Sequence, residues 1–135
     1  MNDPKFPDTK FFLGPEFPGY SVVFIQGFTD FDEWDMPQRG YRSGVCLEDE
    51  IKGTNYPLYF YDIDRLTYDL DMAHEHAIKN GDGAGYIAEY GLVIIQEVTL
   101  ANILMTVKLL LRNGYFKNQK GYPIQEIKKK FAIEE

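Results

Sequence analysis

The residues that could carry out acid–base or metal chemistry lie closest together in DLDMAHEH, residues 69–76. Asp69, Asp71 and His74 could form a small catalytic or metal-binding site, because carboxylates and imidazoles bind metals and imidazole transfers protons near neutral pH. The two histidines are poorly spaced for a shared metal ion. On a helix, His74 and His76 would point about 200° apart around the axis. We therefore expect a solvated helix surface, and a small enzyme or metal-binding protein remains an alternative.

Two other patterns resemble chemical sites only superficially. GDGAG, residues 81–85, follows a predicted helix and precedes a predicted strand, which is the reverse of the order in a phosphate-binding loop. Cys46 is followed by LEDE, and this negative charge would raise rather than lower the pKa of the thiol. We predict a buried structural cysteine, no catalytic residue and no cofactor.

Negative charge is concentrated in two short segments. TDFDEWDM, residues 29–36, contains four carboxylates, one Phe and the only Trp of the chain, and LEDE, residues 47–50, adds three carboxylates. One interpretation is a solvated loop in which Phe31 and Trp34 merely cover the core. The other is a docking surface, where carboxylates attract a basic protein and Trp34 is the desolvated anchor. We favour docking, and the predicted partner-binding residues are Asp30, Asp32, Glu33, Trp34, Asp35, Tyr41, Glu48, Asp49 and Glu50.

Composition limits the partner and the compartment. The net charge is −7, and residues 1–97 hold 18 acidic against 7 basic side chains, whereas residues 98–135 hold 3 against 7. This excess of negative charge argues against nucleic acid as a partner, since phosphate binding requires clustered Lys and Arg. A single cysteine, an N-terminus without a signal-peptide pattern and the lack of a long apolar run predict a cytoplasmic protein with no membrane partner.

Hydrophobic periodicity predicts the strands. Residues 1–20 are rich in Pro and Phe and should be extended, with a short edge strand at residues 10–13. Further strands are expected at residues 21–26, near 45–47, at 56–61 and at 86–97. Pro57 indicates a strand end or a sheet edge, and Gly91 indicates a bend or a break. The region that contains Arg39 and Arg42 is interpreted as a loop.

Three helices are predicted, all after residue 61. The first has Asp62 as N-cap and ends at Asn80-Gly81. Its core-facing side is predicted to consist of Ile63, Leu66, Leu70, Ala73 and Ala77. The second begins after Thr99, ends at Asn113-Gly114 and has the apolar stripe Leu100, Ile103, Leu104, Val107, Leu110 and Leu111. The third covers residues 123–133, with Pro123 in its first turn and Ile124, Ile127 and Phe131 facing inward.

These elements predict a single domain, residues 1–135, of the α+β class. A small, mainly antiparallel sheet packs against two to three helices, the 100–111 helix being the principal one. A doubly wound fold would need a more regular alternation of strands and helices.

The combination of small size, acidity, cytosolic character and absent catalytic motifs resembles the small acidic bacterial immunity proteins of polymorphic and contact-dependent growth-inhibition toxin systems. The resemblance lies in these overall properties, and it assigns no role to any residue. It implies tight, non-enzymatic binding that occludes the toxin's active site or a nearby surface. A nuclease whose cleft is lined with Lys and Arg would be a suitable basic partner. A structural or adaptor domain that uses exposed Tyr residues and the terminal KKK segment is a further alternative.

Overall fold

The computed structural model describes residues 7–132, and the side chains as far as residue 129. Within these residues, five strands form one sheet in the order β1-β2-β3-β4-β5. The strands are β1 Thr9–Phe12, β2 Tyr20–Phe24, β3 Tyr41–Asp49, β4 Thr54–Tyr61 and β5 Leu92–Ile94. The α-helices are α1 Asp30–Arg39, α2 Ile63–Lys79, α3 Leu100–Arg112 and α4 Ile124–Ala132, and a 3-10 turn covers Tyr115–Asn118. The first four strands pair antiparallel and β5 pairs parallel with β4, so the predicted α+β class and mainly antiparallel sheet are confirmed.

Both faces of the sheet are covered, which explains why β2 reads as a continuous apolar run. Val22 and Phe24 contribute to the larger core together with α3, whereas Val23 lies on the opposite face beside Cys46 and Ile127 of α4. Successive residues of a strand point to opposite faces. A strand buried on both sides therefore loses the apolar–polar alternation of a half-exposed strand.

Helix α3 provides the main support of the sheet, as the sequence predicts. Ile103 and Val107 are fully buried in the larger core, and the other stripe residues pack against it. The Asn102 amide donates to the Thr99 hydroxyl at 3.1 Å, and the helix ends at Asn113 before Gly114, whose φ is +77°. Start, stripe and stop of this helix are all confirmed.

Helix α4 covers the second face of the sheet. Ile127 is buried against Val23 and Cys46, and Ile124 packs at the edge of the same cluster. The predicted C-terminal helix is thus confirmed through Ala132, whereas the predicted inward side chain of Phe131 lies outside the described residues. Lys128 Nζ lies 2.7 Å from Asp8 Oδ2, so the helix also contacts the beginning of the chain.

β3 and β5 differ most in length from the prediction, whereas β2 and β4 differ by one and two residues. β3 has nine residues rather than three, and it contains a bulge between Arg42 and Val45 where Gly44 has a φ of +71°. The bulge interrupts the alternation of side chains between the two faces. The first half of the strand therefore shows no strand-like pattern in the sequence. The strand predicted at residues 86–97 is wrong over most of that range, since only Leu92–Ile94 pairs.

Pro57 lies inside β4 rather than at its start. The amide of Tyr59, two residues later on the same side of the strand, donates to the Gly91 carbonyl at 2.9 Å. Pairing with β5 begins only at Tyr59, so the missing N–H of Pro57 costs no ladder hydrogen bond. Gly91 itself lies so close to the Pro57 carbonyl that a Cβ atom would overlap it.

Helix α2 begins and ends as predicted, and its predicted inward side is correct in part, since Leu66 and Ala73 are half-buried. Asp62 caps it by accepting from the Arg65 amide at 2.8 Å, and Ala77 is buried. Ile63 and Leu70, which the sequence places in the core, are exposed. Arg65 is also half-buried on this helix and its guanidinium lies 5.4 Å from the Tyr41 ring, a contact that the apolar pattern does not reveal.

The packing of α3 can be tested with a matched pair of substitutions. Ile103→Ala should lower the free energy of unfolding by about 2 to 5 kcal/mol, because it removes a fully buried side chain and leaves a cavity. Met105→Ala, on the exposed side of the same helix, should change it by less than about 0.5 kcal/mol. Urea denaturation of both variants provides the measurement, and equal effects would contradict the assigned orientation of α3.

Candidate protein-binding surface

The acidic, Trp-containing segment forms helix α1, so the loop interpretation is wrong for residues 30–39. The Thr29 amide donates to Asp32 Oδ2 at 2.7 Å, and the amide of Gly40 (φ +70°) donates to the Met36 carbonyl at 2.8 Å. Both end signals are visible in the sequence, as a Thr with an Asp three residues later and as a terminal Gly. They were obscured by Pro37 and by the lack of an apolar stripe, since Met36 is the one fully buried side chain of α1.

Asp32 connects α1 to the sheet through Arg42. Its Oδ1 accepts from Arg42 Nη1 at 2.9 Å, and only 9% of the Arg42 side chain is exposed. The same guanidinium donates to the carbonyls of Gly27 and Ser43 at 3.0 and 3.1 Å, and it lies 5.0 Å from the Phe24 ring. The Asp32 carboxylate is therefore engaged within the fold, with about a quarter of its side chain exposed.

The two groups of this ion pair have different electrostatic environments. Burial by itself would raise the pKa of Asp32, but the Thr29 amide and the charge of Arg42 together hold it below its ordinary value. Burial lowers the pKa of Arg42, although Asp32 opposes this effect. Both groups remain charged at neutral pH, because the pKa of an arginine starts far above 7.

Asp35 is also neutralised within α1. Its Oδ2 lies 3.1 Å from Arg39 Nη1 one helical turn later, and the Arg39 side chain is 41% exposed. Exposed pairs of this kind stabilise a helix by only about 0.3 to 0.5 kcal/mol. Asp35 could exchange Arg39 for a basic group of a partner at little cost, but it adds little net charge to the free surface.

The second acidic segment lies at the other end of β3. Glu48 pairs with Lys10 at 2.8 Å, and Asp49 is buried, where its Oδ1 accepts from the amides of Ile51 and Lys52 at 3.2 Å. Glu50 is exposed in the β3–β4 turn. Since a strand rises about 3.3 Å per residue, roughly 26 Å separates the two ends of β3. The nine predicted residues therefore do not form one continuous surface.

Tyr41 is part of an aromatic stack beside α2. Its ring centroid lies 4.7 Å from that of Tyr61, and the Arg65 guanidinium covers it. The ring next to Trp34 is Phe31, at 5.7 Å. Phe31 is 62% exposed and Trp34 61% exposed, so neither covers the core. Their i, i+3 spacing places them on one face of a helix. This signal is usable only once residues 30–39 are taken as helical.

Asp30 and Glu33 complete this exposed side of α1. Both side chains are exposed, and neither forms an ion pair with any residue in the described part of the chain. We call the set Asp30, Phe31, Glu33 and Trp34 the aromatic–acidic surface. It combines two adjacent exposed rings with two carboxylates on a helix that is fixed to the sheet through Met36 and Asp32.

The alternative site around His74 is not assembled in the structure. Asp69 pairs with Arg65 at 2.9 Å, and Asp71, two residues later, points to a different side of α2. His74 Nδ1 accepts from the backbone amide of Gly85 at 3.3 Å. His76 Nε2 lies 3.0 Å from the side-chain nitrogen Nδ2 of Asn80. Among residues 7–129, no three His, Cys, Asp or Glu side chains are grouped so that they could hold a metal ion.

Cys46 is buried, as predicted. Burial raises the pKa of its thiol to about 12, and the charge of Glu48 acts in the same direction. Sγ lies 3.8 Å from the Asn55 side-chain oxygen. A thiol in this environment is a poor nucleophile, because the thiolate is the reactive form.

The comparisons with known proteins give no information about this surface. No family model matches the chain, and neither the search of curated proteins nor the search of solved structures found a similar protein. None of the described helices has the length and apolar character needed to cross a bilayer.

The Asp32–Arg42 pair predicts unequal roles for two acids of the same helix. Asp32→Asn should lower the free energy of unfolding by about 3 kcal/mol, the low end for a broken buried ion pair, because the Asp32 carboxylate is partly exposed. Asp35→Asn should cost about 0.5 kcal/mol or less. Urea denaturation at pH 7 measures both costs, and equal values would contradict the structural role of Asp32.

The same pair predicts a pH dependence. The pKa of Asp32 is lowered in the folded state, so its contribution is fully present above the ordinary value of 3.8 and disappears as the pH falls through the lower folded value. The difference in unfolding free energy between the wild type and Asp32→Asn should therefore be constant from pH 5 to 7 and narrow below about pH 3.8. A difference that grows towards acid pH would contradict this assignment.

Proposed function

We propose that this chain is a non-enzymatic binding protein that uses the aromatic–acidic surface of α1 to bind a basic protein domain. The biological role that fits best is that of a cytoplasmic immunity protein, with a cognate toxin as the partner. A nuclease toxin is the preferred candidate, since its cleft must be basic to hold nucleic acid.

The exposed pair of Phe31 and Trp34 carries this proposal. Each ring leaves about three fifths of its surface in water, and the rings contact each other on a short, capped helix. Trp is enriched among the residues that dominate binding energies, and Phe is enriched in the cores of interfaces. Because the helix is already fixed, little ordering entropy would be lost on binding.

The charges beside these rings favour a basic partner. Asp30 and Glu33 remain available, whereas Asp32, Asp35 and Glu48 are neutralised by Arg42, Arg39 and Lys10. Long-range attraction would therefore come from these two carboxylates together with the overall charge of −7. The proposal thus rests on a smaller surface than the sequence predicts.

The other two function classes receive less support. An enzyme that uses Asp69, Asp71 and His74 would need these side chains to converge, and Asp69 is engaged by Arg65. A structural or adaptor domain could use the same exposed rings for self-association. Analytical ultracentrifugation separates this outcome from partner binding, because self-association through Trp34 would be lost in Trp34→Ala.

The anchor can be tested with Trp34→Ala. In the proposed role, its affinity for the toxin domain encoded beside its gene should fall by at least about 30-fold, or 2 kcal/mol, without a change in melting temperature. Phe12→Ala, which removes an equally exposed ring from edge strand β1, is the control and should leave the affinity unchanged. Loss of stability without loss of affinity in Trp34→Ala would contradict the proposal.

The charges can be tested with two variants of equal net charge. Asp30→Asn/Glu33→Gln should slow association with the same toxin domain at low salt, and the difference should disappear at high salt. Asp71→Asn/Glu75→Gln removes the same charge from exposed positions of α2 and should slow association much less. Stopped-flow measurement at several ionic strengths distinguishes them. Equal slowing would assign the attraction to overall charge rather than to α1.

A further inference from the structure

A tyrosine-lined cleft lies beside β4, on a part of the molecule that the proposed function does not use. It consists of two adjoining cavities, of about 370 and 230 Å³, which share Pro57, Tyr90 and Tyr122 in their walls. The larger cavity extends towards Tyr56, Phe116 and Lys120. The smaller cavity is completed by Glu89 and Glu126.

Backbone contacts with β4 hold both tyrosine-bearing segments in place. Asn55 and Tyr122 exchange two main-chain hydrogen bonds of 2.8 Å, and the Asn55 side chain adds a third to the Tyr122 carbonyl at 3.4 Å. On the other side, Gly91 lies against the Pro57 carbonyl, and its neighbour Tyr90 lines the cleft with 82% of its surface exposed. The Tyr122 side of the cleft is therefore held by hydrogen bonds to Asn55, and Tyr90 lies at its solvent-exposed side.

The charges of the smaller cavity are unbalanced. Glu89 and Glu126 are exposed, and neither forms an ion pair with a side chain that the structure describes. On the side of the larger cavity, Lys120 Nζ lies 5.3 Å from the centre of the Tyr122 ring. The chain thus already places one ammonium group over this ring, within the distance of a cation–π contact.

We propose that the smaller cavity binds an organic cation, an alkylammonium or guanidinium group. The rings of Tyr90 and Tyr122 supply the attraction of their π faces, and Glu89 and Glu126 supply the opposite charge. The cavity accommodates such a group, whereas an anion would meet two carboxylates. The cation could belong to a small molecule or to an Arg or Lys side chain of a protein, and this inference does not depend on the role proposed for α1.

The probe is N-acetylarginine amide, with N-acetylcitrulline amide as its neutral isostere. Titration of the full chain is followed by NMR on the ring signals of Tyr90 and Tyr122. We expect the arginine probe to bind with a dissociation constant at least fivefold lower than that of the citrulline probe, with saturable shifts of both rings. Equal affinity for the two probes, or no shift of these rings, would overturn the proposal.

Charge variants assign the site. Glu89→Gln/Glu126→Gln should weaken binding of the arginine probe at least fivefold, whereas Asp71→Asn/Glu75→Gln, with the same net charge, should leave it within twofold. Lys120→Met should strengthen binding, because it removes the ammonium group that competes for Tyr122. Equal weakening by the two double variants, or no gain in Lys120→Met, would count against the site. Circular dichroism melts verify that each variant is folded.

The source of the cation is decided by a second comparison. A glycine-flanked arginine peptide that binds at least tenfold more tightly than the amide would indicate a protein side chain, and equal affinity would indicate a small molecule. Both results support the cation site. Trp34→Ala should bind the arginine probe as the wild type does, so this experiment and the tests of the aromatic–acidic surface can fail independently.

Discussion

The structure depends most directly on the burial of a single positive charge. Arg42 lies at the start of β3 with its guanidinium between the Phe24 ring and the carboxylate of Asp32. An arginine cannot lose its proton near neutral pH, so its burial requires an anion and hydrogen-bond acceptors at fixed positions. Asp32 and the carbonyls of Gly27 and Ser43 meet that requirement. The chain must therefore bring the start of a helix, a loop and a strand to one point.

This requirement divides the acidic segment into two sides. The inward side of α1 contains Asp32 and Met36, which contact the sheet and the core, and the outward side contains Phe31 and Trp34. The exposure of the rings thus follows from the anchoring of the helix. In this carboxylate-rich sequence the inward residues Asp32 and Met36 are one helical turn apart, and Glu33 and Trp34 between them are exposed.

The sequence predicts a helix correctly when the interactions that determine its position lie within the helix and its caps. Helix α3 has its cap, its apolar stripe and its terminal Gly within the sixteen residues from Thr99 to Gly114, so the sequence predicts it correctly throughout. Helix α1 has a cap and a stop but buries only Met36, and its place is set by Arg42, ten residues after Asp32 and on a different element. The contact of Arg65 in α2 with Tyr41 likewise joins two different elements. Neither contact leaves a periodic signal in the sequence.

The tyrosine cleft was beyond prediction for the same reason. Tyr56, Tyr90 and Tyr122 are separated by more than thirty residues from one to the next, and the Asn55–Tyr122 bridge brings distant segments together. The sequence indicates only that ten tyrosines are more than a core of this size would hide. Which of them meet is a property of the sheet order and of the close approach of Gly91 to Pro57.

The ion pair between Asp8 and Lys128 has a consequence for how the domain opens. β1 is an edge strand held by one neighbour, and α4 lies on the second face of the same sheet. Elements at chain ends normally fray independently. Here Asp8, directly before β1, and Lys128 of α4 form a 2.7 Å contact, and Asp8 also accepts from the Gln26 amide at 3.1 Å. The pair is partly exposed and contributes about 1 kcal/mol or less, so it should couple the opening of β1 and α4 only weakly in hydrogen exchange.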